Sequence, residues 1–153
     1  MKHYISILLL HIVFLSFNLS AQLQVSSLKS EYLVNPIGID ETSPRFTWQL
    51  ESANDRGMQK AYRIVVGTDE ASVKSGEGNV WDSGTVESEV IPAMYKGPAL
   101  EPFTRYYWSV QVKDEKGGWS EWSPVAYFEM GMIDQKNWTG QWITDTYDYN
   151  VKH

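Results

Sequence analysis

Apolar and polar residues alternate with a period of two in several short runs, and the residues between these runs favour turns. In "SPRFTWQL" Phe46, Trp48 and Leu50 fall on one side, with Arg45, Thr47 and Gln49 on the other, as expected for a half-buried strand. "AYRIVVGT" repeats the pattern, with Tyr62, Ile64 and Val66 inward. The clearest run is "RYYWSVQVKD": Tyr106, Trp108, Val110 and Val112 form an apolar side, while Arg105, Tyr107, Ser109, Gln111 and Lys113 form the other. A first edge strand is expected around Leu23 to Leu28, and "VWDSGTV" and "SEVIPAMYKG" each predict a short strand. Pro92 confines the second of these to an edge or a strand end, because proline cannot donate to a ladder. "EKGG" predicts a hairpin turn and "VAYFEMG" the returning strand. "ESANDRGMQK" reads as a polar loop, and "DEASVKSGEGN" as loop or a single helical turn. About seven short strands without a convincing amphipathic helix predict an all-β fold, an antiparallel β-sandwich over residues 22–131.

The first 21 residues follow a different logic. Lys2, the apolar run "YISILLLHIVFLSFNLS" and the small residues Ser20 and Ala21 before Gln22 form a secretory signal peptide pattern with cleavage after residue 21. The run is short for a spanning helix, and Ser16, Asn18 and Ser20 interrupt its end. The expected product is secreted or periplasmic, with surface association open and no membrane span once the leader is removed. No Cys occurs, so hydrophobic packing rather than disulfides must hold an exported fold of about 130 residues (153 − 21 = 132).

Charge and histidine content exclude several chemistries. The net charge of −6 becomes −7 when Lys2 leaves with the leader, and no basic run is present, which argues against a nucleic-acid partner. The three histidines are His3, His11 and His153, so the expected folded body has neither Cys nor His. That removes Cys/His nucleophiles, Ser-His-Asp triads and ordinary zinc sites, and no metal or cofactor is expected. Ser120 and Ser123 have no base to activate them. The acidic pairs Asp40-Glu41, Asp69-Glu70 and Asp114-Glu115 fall in loops rather than facing one another across a cleft, and Asp82 in "WDSG" reads as a turn acceptor. No catalytic residue is assigned.

Two aromatic patterns carry more information. "LEPFTRYYWSVQVKD" resembles the tyrosine corner of fibronectin type III domains, with Tyr106 as the corner tyrosine and Trp48 as the core tryptophan of the facing sheet. "GGWSEWSPV" carries the Trp-Ser-x-Trp-Ser pattern of cytokine receptors, in which tryptophans interleave with arginines. Here Arg105 and Lys113 would supply a partial ladder at best. Trp48, Tyr106, Trp108 and Arg105 are therefore read as structural, while Trp119, Trp122 and Tyr107 are candidate carbohydrate contacts on a flat aromatic surface.

Taken together, "NPIGIDETSPRFTWQL", "QKAYRIVVGT", "VWDSGTVES", "YKGPALEPFTRYYWSVQVKDEKGGWSEWSPVAYFEMG" and "WTGQWI" resemble the N-terminal region of bacterial multidomain α-L-rhamnosidases, in order and spacing, from about Leu28 to Ile143. The resemblance implies a non-catalytic fibronectin-III-like, or immunoglobulin-like, domain of a secreted inverting glycoside hydrolase that removes terminal α-L-rhamnose. Its general acid and base would lie on a later helical barrel, so no catalytic residue transfers to this sequence. The partners implied are the following domains of the parent hydrolase and rhamnose-containing glycans. Residues 132–153 resemble a linker and the start of a following domain, which reads the chain as a truncated reading frame, a gene-model fragment or a free-standing remnant. A carbohydrate-binding module and a protein-interaction or adhesion module are the alternative readings.

Overall fold

The computed structural model describes residues 23–52, 57–134, 136, 138–141 and 143. The leader expected over residues 1–21 lies outside them, as do residues 144–153 of the expected linker and following-domain start. No helix among the described residues is long and apolar enough to cross a membrane.

Among the described residues, eight strands and one short helix follow in the order β1 (Gln24–Ser30), β2 (Arg45–Glu51), β3 (Gln59–Gly67), α1 (Glu70–Lys74), β4 (Trp81–Asp82), β5 (Val86–Glu87), β6 (Ala93–Met94), β7 (Arg105–Asp114) and β8 (Ala126–Glu129). They form two antiparallel sheets: one of order β1-β2-β6, and one of order β4-β3-β7-β8 in which β5 also pairs with β3. β4 and β5 are two pieces of one edge strand, which reconciles eight segments with about seven expected strands. Between them, four steps along the edge strand (Asp82 to Val86) oppose three along β3 (Val65 to Tyr62), a one-residue bulge. Gly84 sits within it at φ 59°, the left-handed region a glycine enters without steric cost.

The core is made where the alternating runs face each other. Phe46 and Trp48 of β2 meet Ile64 and Val66 of β3 and Tyr106, Trp108, Val110 and Val112 of β7, all buried. Phe46 lies 4.4 Å from the Trp108 ring and 5.8 Å from Phe128, centroid to centroid. Leu50 and Tyr62 pack at the margin. β6 lies at a sheet edge directly after Pro92, and β1 lies at the opposite edge.

Burial departs from simple alternation along β3 and its neighbour β7. Val65 and Ser109, paired across β3 and β7 on the outer face, are fully buried. The cause is α1, which grows from the polar stretch after Thr68, is capped by the Asp69 carboxylate accepting from Ser72 N, and lays Val73 on this face. Gln59, expected in a polar loop, is buried at the start of β3. Its side-chain oxygen accepts from Trp48 Nε1 (3.0 Å) and its nitrogen donates to Ser88 O (3.0 Å), so one amide ties the two sheets together and spares the indole an unpaired donor.

Candidate functional site

The Trp-Ser-x-Trp-Ser stretch runs beside β7 between the hairpin turn and β8, and its serines explain how. Asp114 Oδ1 closes the turn by accepting from Lys116 N and Gly118 N, and Gly117 takes φ 85°. Ser120 N then donates to Val112 O, while Ser120 Oγ accepts from Val112 N (3.0 Å). Ser123 does the same with Val110: its N donates to Val110 O and its Oγ accepts from Val110 N (3.1 Å). Three residues of the stretch thus span two of β7, and a hydroxyl substitutes for the carbonyl a regular strand would present. Ser109 Oγ, 3.1 Å from Ser123 Oγ, completes a buried polar cluster. Ser83 plays a similar part at the other edge, accepting from Ile64 N at 2.8 Å. These serines are structural acceptors, a role hidden in the sequence by the more conspicuous tryptophans.

Trp119 and Trp122 lie on the outer face beside Lys113 and Gln111, and both are half-buried. The cation over Trp122 is Arg63 of β3, at 5.7 Å, rather than Arg105 or Lys113 as expected. Arg63 is held from its other side by a bidentate pair with Asp82 (3.0 and 2.6 Å). Asp82 also accepts from Gly84 N, so it is both a turn acceptor and an anchor for that arginine. The Arg63 pair and the Gly84 amide hold the Asp82 carboxyl below its ordinary value. Arg105 lies instead 4.5 Å over the Tyr127 ring and pairs with Glu129. The strand register explains the exchange: Arg63 is opposite Gln111, next to the serine stretch, whereas Arg105 is opposite Glu129 at the far end of β7.

The three candidate carbohydrate contacts therefore do not form one platform. Tyr107 pairs with Tyr127 (6.4 Å, edge to face) four residues along β7 from Gln111, about 13 Å at strand rise. α1 and its exit intervene, with Val73 against Gly67 and Gly76 against the Trp122 ring. Trp122 also borders a cleft of about 370 Å³ with Leu23, Gln24, Val25, Ser26, Glu121 and Pro124. The structural residues occupy their own places. Tyr106 Oη accepts from Glu101 N at 2.8 Å, tying the crossover loop to β7 in tyrosine-corner geometry, and its ring stacks on Phe128. Trp48 and Trp108 are core.

The carboxylates with displaced pKa values are all displaced downward: Glu31 by its hydrogen bonds from Arg45, Asp69 by Ser72, and Asp82 by Arg63. A general acid for glycoside cleavage needs the opposite shift. Among the described residues no group of three or more acidic, His or Cys side chains is placed to hold a metal ion. This arrangement can stiffen a sheet and present aromatic edges.

Residues 25–134 match the family model described as "Rha78A-like, N-terminal immunoglobulin domain". An α-L-rhamnosidase of Streptomyces avermitilis is 40% identical over 125 residues, covering 80% of this chain and 12% of that protein. One from Formosa agariphila is 39% identical over 116 residues, covering 74% and 12%. The solved α-L-rhamnosidase of Dictyoglumus thermophilum superposes with a TM-score of 0.77 at 35% identity, over 80% of this chain and 14% of that one. The Streptomyces avermitilis enzyme, solved in complex with L-rhamnose, gives a TM-score of 0.76. The match thus spans about an eighth of the length of these relatives. An all-β sandwich with these motifs, this register and this match places the chain in the family of Rha78A-like N-terminal immunoglobulin domains.

Proposed function

We infer that this chain serves as the non-catalytic N-terminal β-sandwich of a secreted α-L-rhamnosidase-type hydrolase, packing against and positioning the rest of that enzyme. The observation that carries this reading is the 40% identity over 125 residues to an α-L-rhamnosidase roughly eight times longer than the matched span (1/0.12). Its carboxylates support it, being engaged in arginine pairs and turn caps rather than facing each other. Secretion rests on the apolar leader with Ser20 and Ala21 before Gln22. Two measurements test the reading. The purified chain should release no chromophore from an aryl α-L-rhamnoside, and the exported product should begin at Gln22 by mass spectrometry; turnover by the chain alone, or an uncleaved leader, would overturn the respective part.

A second reading is favoured by the cleft beside Trp122: a carbohydrate contact through Trp119 and Trp122, with Tyr107 as a separate aromatic edge. Retardation in gels containing rhamnose-rich polysaccharide, lost in Trp122→Ala, would support it. Unchanged mobility across a broad glycan panel would remove it.

A further inference from the structure

One end of the sandwich presents an apolar surface that the fold itself does not use. Ile37 is 68% exposed, Val34 66%, Leu33 58% and Phe103 65%. Ile37 and Phe103 are carried by three adjacent backbone segments: Gly131 N donates to Ile39 O, and Phe103 N donates to Gly131 O. The loop is fixed in shape rather than loose. Leu33 exchanges two backbone bonds with Ser30 at 2.9 Å, Pro36 O accepts from Glu129 N, and Asn35 Oδ1 accepts from Tyr127 N. Exposed apolar side chains on a rigid loop mark an interaction surface, because docking would require little further ordering.

We propose that this surface, centred on Ile37 and Phe103, is the face on which the polypeptide following the matched segment of a rhamnosidase chain docks. This rests on the domain assignment proposed above. The direction of the chain selects the occupant. β8 runs into Met130 and Gly131 at this end, and Ile133 folds back against the core, so whatever follows is delivered beside Ile37 and Phe103. Gly131 is needed there, since a Cβ would press into Asp40 and the Gly38 backbone. The two loops, residues 33–40 and 97–104, hold no Lys or Arg and one acid each, Asp40 and Glu101. The matching surface is therefore apolar at its centre.

The test is side-chain footprinting by hydroxyl radicals, read by mass spectrometry. Labelling in the 153-residue chain is compared with that in a chimera in which residues 25–134 replace the matched segment of the Streptomyces avermitilis enzyme. Ile37 and Phe103 should lose most of their labelling in the chimera, since side chains passing into an interface core are shielded from water. Met58, 49% exposed at the opposite end of the sandwich, should label equally in both. Protection elsewhere with Ile37 and Phe103 still labelled would overturn this face but leave the domain assignment standing. Equal labelling everywhere would overturn packing altogether. Should the chimera not fold, the natural Streptomyces enzyme gives the same answer: positions aligned with Ile37 and Phe103 must be protected relative to that aligned with Met58, and equal labelling there refutes the proposal.

Discussion

Replacing Ser123 by Ala isolates the device that holds the Trp-Ser-x-Trp-Ser stretch on β7. The hydroxyl accepts from Val110 N at 3.1 Å and donates to Pro124 O at 3.0 Å, and Ser109 Oγ is 3.1 Å away. Pro124 is exposed and its carbonyl can turn to water, and Ser109 Oγ keeps its bond to Ser123 O, so neither loss should dominate. Val110 is fully buried in the central strand, and its amide would lose that acceptor where water has no access. A stranded buried donor costs about 1–3 kcal/mol. With the smaller losses added, Ser123→Ala should lower the unfolding free energy by about 2–3 kcal/mol, at about 4 °C of Tm per kcal/mol for a domain of this size. Ser88→Ala is the control: its hydroxyl also accepts a backbone amide, Val90 N at 3.1 Å, but in an exposed setting where water substitutes. Urea unfolding followed by tryptophan fluorescence should show Ser123→Ala shifted with an unchanged m-value, and Ser88→Ala within about 0.5 kcal/mol of the parent. Equal effects of the two substitutions would refute the argument that burial of Val110 N sets the cost.

Tyr106→Phe removes the acceptor of Glu101 N but keeps the stack on Phe128, and should cost about 1 kcal/mol in the same assay. Gly76→Ala combines φ 83° with a Cβ directed into the Trp122 indole, and should destabilise by about 1–3 kcal/mol and change the tryptophan emission; a neutral outcome would contradict the packing described. Arg45 holds the Glu31 carboxyl below its ordinary 4.5, so the contribution of that group is present above pH 4.5 and is lost as pH falls through the lower folded value. The stability difference between parent and Glu31→Gln should accordingly be level from pH 6 to 8 and shrink on acidification below about pH 4.5; a difference that grows with acid would reverse the sign of the argument.

The alternating runs were legible because each needs only its own residues to define a face: Phe46 and Trp48, then Tyr106 through Val112, fall inward as their period dictates. Tyr106 was legible for a related reason, its loop preceding it directly in the sequence. What escaped the sequence depends on partners distant along the chain. Val65 and Ser109 are buried because α1, from a polar stretch, covers them. Gln59 is buried because Trp48 offers it an indole donor from the facing sheet. Trp122 meets Arg63 because β3 neighbours β7, a pairing that places Arg63 opposite Gln111 and leaves Arg105 to Tyr127 and Glu129. The aromatic content points to Trp119, Trp122 and Tyr107 as sugar contacts, and only the folded chain shows α1 and its exit lying between Trp122 and Tyr107.

The sandwich is proposed to work within a longer rhamnosidase polypeptide. An antibody raised against residues 25–134, used on fractions of the source cells, would decide this. The native band should be several times the 17.6 kDa of this chain and co-fractionate with α-L-rhamnosidase activity. A stable band at the size of this chain alone, with the activity in other fractions, would contradict it.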